Sequence, residues 1–263
     1  MNTLYASSIE DIVQLLLNVG GKRTVVVEGD MGIGKSTLQK ILKKLLPDHL
    51  ACYFDCTTKD LGDLFLPNIN GADQCVSFLP NEQFGIHTGK PLILMLDELG
   101  KANPSVKNAL LVVMLEHMIG NQPLPEGSIV FATTNLGAEG VGDMLPPHAR
   151  NRIITVRMRK PSAEEWIGNY AINNGVHPSV MGFVKEFPQV MQSFTEVSNP
   201  DDNPYIYHPK RQANAFCTPR SLECASDILH QREHLTDDTL TGALIGTIGE
   251  RGALDMMAFV KLA

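Results

Sequence analysis

The stretch Val25-Val26-Val27-Glu28-Gly29-Asp30-Met31-Gly32-Ile33-Gly34-Lys35-Ser36-Thr37 (VVVEGDMGIGKST) decides how the chain is read. Its β-branched opening reads as a short buried strand, Thr24 to Glu28. Lys35 to Leu46 reads as a helix stopped by Pro47. Between them Gly29 to Ser36 spells G-x-x-x-x-G-K-[ST], in the strand–loop–helix context that a phosphate cradle requires. Glycines let backbone N–H groups turn inward and approach phosphate oxygens, and the helix N-terminus adds partial positive charge. Gly29, Asp30, Met31, Gly32, Ile33, Gly34, Lys35, Ser36 and Thr37 are therefore the candidate nucleotide-binding residues. Lys35 is suited to the β- and γ-phosphates, and Ser36 to Mg²⁺. The competing reading is a glycine turn that happens to precede Lys-Ser.

Downstream segments choose between the two. Leu92 to Leu96 is a wholly apolar strand ending in Asp97-Glu98. Asp97 stands where a Mg²⁺ carboxylate is needed, and Glu98 could polarise a water for attack on a γ-phosphate. Ser128 to Thr133 is another apolar strand, followed by Thr134-Asn135. Asn135 could hydrogen-bond that water or the phosphate, although asparagine after a strand is commonly a turn residue. Arg150 and Arg152 precede a strand at Ile153–Met158. An arginine there could stabilise γ-phosphate charge, in cis or on a neighbouring subunit. Thr218-Pro219-Arg220 opens a later helix, from which Arg220 could fold over the nucleotide. A solvated basic end is the competing reading for Arg150 and Arg152, and a surface arginine at a helix start is that for Arg220.

The rest of the 263 residues frames this site. Hydrophobic content of 43% supports a buried core. Net charge is -7, from 22 basic and 29 acidic residues, which argues against a protein that coats nucleic acid. The five cysteines, Cys52, Cys56, Cys75, Cys217 and Cys224, form no C-x-x-C and read as free thiols. No apolar run reaches bilayer length, and the acidic N-terminus lacks a signal-peptide pattern, so a soluble cytoplasmic protein is expected. Ser7-Ser8-Ile9-Glu10 reads as a capping box, and helical spacing continues through Leu17 to Gly20-Gly21. Ala51 to Cys56 is a strand, and Pro104 opens a helix. Strands alternating with helices predict an α/β fold with a five-stranded parallel sheet covered by helices. After Lys160-Pro161 the texture turns helical, at Ala163–Asn173, Pro178–Gln192, "TPRSLECASDILHQ" and "TDDTLTGALIGTIGERGALDMMAFVKL". Two domains are expected, 1–160 binding nucleotide and 161–263 smaller and helical. The second carries a long loop at 198–216 that is functional, partner-binding or mobile.

Taken together the segments resemble the AAA+ ATPases, and within them the MoxR-like, dynein-related branch in the short form found in bacteria and phages. "LDELGKANPSVKNALLVVMLEH" looks like that branch's Walker B strand and following helix. "FATTN" resembles sensor 1, "LPPHARNRI" the segment ending in an arginine finger, and "TPRSLE" sensor 2. The likeness runs from about Ile9 to the C-terminus. It implies the P-loop NTPase (AAA+) fold with a helical lid, ATP and Mg²⁺ as cofactors, and a homo-oligomeric ring, usually a hexamer. It also implies chaperone-like action on a protein partner, commonly a von Willebrand factor A-type protein. It maps the finger to Arg152 and sensor 2 to Arg220. The usual finger has an acid before it and an aromatic after it. Here Asn151 and Ile153 flank Arg152, so Arg150 stays open.

The leading expectation is thus ATP hydrolysis coupled to partner remodelling. A helicase loader or DNA translocase would share the nucleotide residues but needs a basic stripe, for which the chain offers only Lys101, Lys107 and Lys210-Arg211. A non-catalytic assembly switch is a further alternative, and a P-loop kinase has no use for the sensor arginines. Segment 66–85, "LPNINGADQCVSFLPNEQFG", and residues 198–216 are the candidate contact surfaces, both read as loops.

Overall fold

The computed structural model describes residues 5–136, 145–211 and 215–262. Two compact units are present, Met1–Gly29 with Lys35–Met158, and Asp30–Gly34 with Arg159–Ala263.

The first unit is built on β1 (Ala6–Ser7), β2 (Val25–Gly29), β3 (Leu50–Asp55), β6 (Leu92–Asp97), β9 (Ile129–Asn135) and β10 (Ile154–Met158). They form one sheet in the order β1-β10-β2-β9-β6-β3, every neighbouring pair parallel. β2, β9 and the apolar part of β6 are buried along their lengths, as the continuous runs of Val, Ile, Leu and Phe require of strands covered on both faces. Its helices are α1 (Ile9–Val19), α2 (Thr37–Leu45), α3 (Pro104–Glu116) and the short α4 (Pro147–Arg150). Glu28, the acid just before the glycine loop, is spent structurally. It is buried and accepts from Arg157 Nε and Nη2 at 3.1 and 2.9 Å across β10.

The expected five-stranded sheet has six strands. The extra one, β1, is two residues long and pairs only with Arg157 and Met158, far too little to leave a periodicity. It also moves the helix cap. Ser7 belongs to β1, so Ser8 caps α1, its Oγ accepting from Asp11 N–H at 3.1 Å while Asp11 Oδ2 accepts from Ser8 N–H. A second correction concerns segment 66–85. It is largely an antiparallel hairpin, β4 (Phe65–Asn70) against β5 (Cys75–Pro80), with Leu66 facing Leu79 and Ile69 facing Val76. A smaller hairpin, β7 (Met118–Ile119) with β8 (Gln122–Pro123), meets it where Asn121 Oδ1 accepts from Phe78 N–H at 2.8 Å.

The second unit is helical, with its own core around Trp166, Phe183, Leu222, Leu244 and Met256. It comprises α5 (Ala163–Glu165), running on as a π-turn over Trp166–Ala171, then α6 (Pro178–Glu186), α7 (Pro219–His230), α8 (Asp237–Ile248) and α9 (Glu250–Leu262). The expected helix 178–192 stops at Glu186 because Pro188 drives Phe187 out of the helical region, to φ −117° and ψ 64°. The expected final helix breaks at Gly249, whose φ of 82° suits glycine, and where a Cβ would sit 2.7 Å from Ala215 O.

Residues 198–216, expected as a long loop that is functional, partner-binding or mobile, make many internal contacts, although 212–214 lie outside the described residues. The Arg211 guanidinium donates to the carbonyls of Pro200, Pro204 and Ile206 at 3.0–3.1 Å, and Asn203 Nδ2 donates to Gln189 O. Tyr205, Ile206 and His208 are buried. Among the described residues no helix is long and apolar enough to cross a membrane.

Candidate functional site

Parallel pairing brings the sequence-predicted residues of the first unit to the same ends of their strands. Gly29, the last residue of β2, lies opposite Asn135, the last of β9. On the other side of β9, Leu96 pairs with Ala132, so Asp97 and Glu98 emerge beside Thr133. Side chains alternate along a strand, which puts Thr133 and Asn135 on one face and the buried Thr134 on the other.

A continuous run of polar contacts follows. Lys35 is buried at 8% exposure. Its Nζ donates to Gly29 O at 2.9 Å and to Asn135 Oδ1 at 2.8 Å. Asn135 turns its other end on the acid, Nδ2 donating to Glu98 Oε1 at 2.8 Å. Glu98 Oε2 meets Lys101 Nζ at 2.5 Å. Burial alone would push the Glu98 carboxyl up. Hydrogen bonds from Lys101 and Asn135, with the charges of Lys101 and Lys35, outweigh it and hold the group below the usual range. Glu98 is therefore an oriented carboxylate. Its backbone is left-handed at φ 55°, a conformation that costs a non-glycine residue about 1–2 kcal/mol.

Asp97 is held from both neighbouring strands. Thr133 Oγ1 donates to its Oδ1, and Tyr53 Oη on β3 donates to its Oδ2 at 2.7 Å. Thr133 Oγ1 also accepts from Glu98 N–H at 3.3 Å. Ser36 makes no side-chain cap on α2, so its hydroxyl is not spent there. Among the described residues no group of three His, Cys, Asp or Glu side chains stands ready to hold a metal. A carboxylate and a hydroxyl are nonetheless the hard oxygen donors that suit Mg²⁺, which characteristically completes its shell with water and phosphate.

Among the described residues, the two arginines before β10 have these other partners. Arg150 Nε donates to Leu145 O at 2.8 Å, and Arg152 Nη2 pairs with Glu116 Oε1 at 2.8 Å, both partners about half-exposed. In the second unit, loop residues Asp30 to Gly34 gather around the start of α7 and the Lys160 side chain. Arg220 N–H donates to Gly32 O at 3.2 Å, and the Lys160 ammonium lies 3.9 Å from Asp30 Oδ2 while donating to Gln192 O. Burial lowers the proton affinity of Lys160, partly offset by the Asp30 charge. Gly32 has φ 71°, and a Cβ there would lie 2.7 Å from Thr218 Oγ1, so both backbone and packing demand glycine.

Sequence reasoning missed Thr133, Tyr53 and the role of Lys101. Thr133 was within reach, since alternation places it on the face of Asn135. Lys101 enters the sequence reading only as a nucleic-acid contact. It is paired with Glu98, Lys107 Nζ donates to Gly100 O, and Arg211 holds carbonyls, so the candidate basic stripe is largely committed inside the chain.

Neither a family model nor a curated protein sequence matches the chain. Solved structures do resemble it. A Thermotoga maritima RuvB mutant is similar at 15% identity, over 97% of this chain and 70% of that one, with a TM-score of 0.51. The Thermotoga maritima RuvB Holliday junction branch migration motor matches at 16% identity, over 97% of this chain and 69% of that one, with a TM-score of 0.48. Six parallel strands flanked by helices, with the glycine loop between β2 and α2, give the chain the fold of the AAA+ P-loop NTPases.

Proposed function

We propose that the protein binds MgATP and hydrolyses it to ADP and phosphate. The observation that carries this reading is the Lys35–Asn135–Glu98 run, which links the phosphate-binding lysine to an ionised carboxylate through one oriented amide. Gly29 to Thr37 bind the phosphates, and Ser36 and Asp97 hold the Mg²⁺. The bound metal would neutralise charge on the phosphate oxygens. Glu98 takes a proton from the attacking water and Asn135 positions that water. Arg152, or else Arg150, acts on the γ-phosphate of a neighbouring subunit, which requires Arg152 to leave its exposed pair with Glu116. Arg220 reads the nucleotide from the lid. The matching division is 1–160 for nucleotide binding and 161–263 for the lid.

The MoxR-like resemblance extends the proposal to a ring of about six subunits that remodels a protein partner, in the manner of a chaperone, with a von Willebrand factor A-type protein as the partner class. The β4–β5 hairpin suits such contact, because Leu66, Ile69, Val76 and Leu79 are each more than half exposed on it. Phosphate release by wild type and by Lys35→Ala tests the catalytic claim. Magnesium-dependent turnover that the substitution abolishes is expected, and a wild-type protein that hydrolyses no ATP would sink it. Light scattering of Glu98→Gln with and without MgATP tests the ring. A species of about six subunits is expected, and a persistent monomer would remove the trans role of Arg152.

A further inference from the structure

The grip on Asp97 extends beyond the residues assigned above. Tyr53 lies opposite Met95 in the β3–β6 register, and Asp55 lies opposite Asp97. Tyr53 and Asp97 therefore share a face of the sheet, one diagonal step apart. Such neighbours are about 7–8 Å apart at the backbone, within reach of a long rigid side chain and beyond a serine or threonine. The phenol spans that gap and donates to Oδ2, while Thr133 closes on Oδ1 from the opposite strand. Tyr53 stands between the buried Cys52 and Phe54 but is itself 50% exposed, so the core does not demand an aromatic ring there.

A carboxylate on one hydrogen bond still turns about its terminal torsion, which is soft. Held at both oxygens, it presents the remaining lone pairs in one direction. We propose that Tyr53 is a positioning residue for the metal carboxylate, its hydroxyl fixing Asp97 so that the Mg²⁺ accompanying a bound nucleotide meets the acid in a single orientation. The inference rests on the reading of Asp97 as a Mg²⁺ residue. Tyr53 touches neither nucleotide nor metal in this role and acts only through Asp97. Losing an outer partner of this kind typically costs about 10–100-fold in metal affinity.

The test is binding rather than turnover. Full-length wild type and Tyr53→Phe are titrated with a fluorescent ADP analogue, first in EDTA and then at fixed nucleotide with increasing Mg²⁺. Phenylalanine keeps the ring and removes only the donor. The Mg²⁺ midpoint is expected to rise about tenfold in the variant, with unchanged affinity in EDTA and an unchanged melting temperature. An identical midpoint in the two proteins overturns the role of Tyr53 and leaves the Mg²⁺ reading of the site standing. Equal weakening with and without Mg²⁺ also overturns it, by showing that the ring supports the nucleotide or the fold. Wild-type binding that ignores Mg²⁺ altogether removes the reading of Asp97, and the inference with it.

Discussion

Replacing Glu98 by glutamine separates catalysis from structure at the proposed water-activating residue. The amide would keep the side-chain length and one carbonyl oxygen, so Asn135 Nδ2 retains an acceptor and the run back to Lys35 survives. What is lost is the ion pair with Lys101, in which Lys101 is 42% and Glu98 28% exposed. A pair that open to water contributes at most about 1 kcal/mol, or roughly 2–4 °C of melting temperature in a chain of this size. The chemical loss is far larger. A general base contributes about 10²–10⁴ in rate, which is about 2.7–5.4 kcal/mol of barrier. Phosphate release at saturating MgATP should fall by at least about a hundredfold, while ATP affinity and melting temperature stay close to wild type. Turnover within about threefold of wild type, in a variant shown to be folded and to bind ATP, would refute the role of Glu98, since that is only about 0.6 kcal/mol of barrier.

Arg152→Ala should shift stability by less than about 1 kcal/mol, since its pair with Glu116 is exposed, yet should abolish most hydrolysis. Mixing it with Glu98→Gln subunits should restore part of the activity, and a mixture as inactive as its parents would count against action in trans. Gly32→Ala, strained at φ 71° and crowded by Thr218, should lower unfolding free energy by about 1–3 kcal/mol in urea titrations, and an unaltered midpoint would contradict the close approach. Leu94→Ala, fully buried in β6, should cost about 2–5 kcal/mol by the same measurement. Glu165 is held at about 2 by hydrogen bonds from Arg159 at 2.6 Å, joined by the N–H of Ser162. A depressed carboxyl adds stability above its unfolded pKa and loses it as pH falls through the folded one. The stability gap between wild type and Arg159→Met should therefore be level above about pH 5 and close between about pH 5 and 2. A gap independent of pH would dismiss the pairing.

Much of the candidate site could be proposed from sequence because its signals are local. The glycine spacing, the apolar run ending in Asp97-Glu98 and the run ending in Asn135 each announce themselves within a short stretch of chain. Contacts set by register were not legible. Tyr53 and Asp97 are 44 positions apart, and nothing in either segment says that β3 and β6 are neighbours or how they align. The β4–β5 hairpin did carry a signal, Asn70-Gly71 between two runs with apolar residues, but Pro67 and the polar neighbours gave it the texture of a loop. β1 left no signal, since two residues acquire strand geometry only from their partner. For Arg150 and Arg152 the sequence offered two equal candidates. The structure describes where each rests, with Leu145 and Glu116, and neither contact chooses between them.

The grouping of Asp30–Gly34 with Arg159–Ala263 bears on how the protein can be dissected. A cut near residue 160 looks natural on the linear chain. It would leave the glycine loop on one fragment and put Thr218 and Arg220, which pack against that loop, on the other. An N-terminal fragment would keep every motif residue of the loop but lose the walls that shape it. The proposed nucleotide binding, measured on such a piece, would thus understate that of the intact protein, and complementation by the separately expressed C-terminal piece would be a direct gauge of how much of the loop's setting is borrowed.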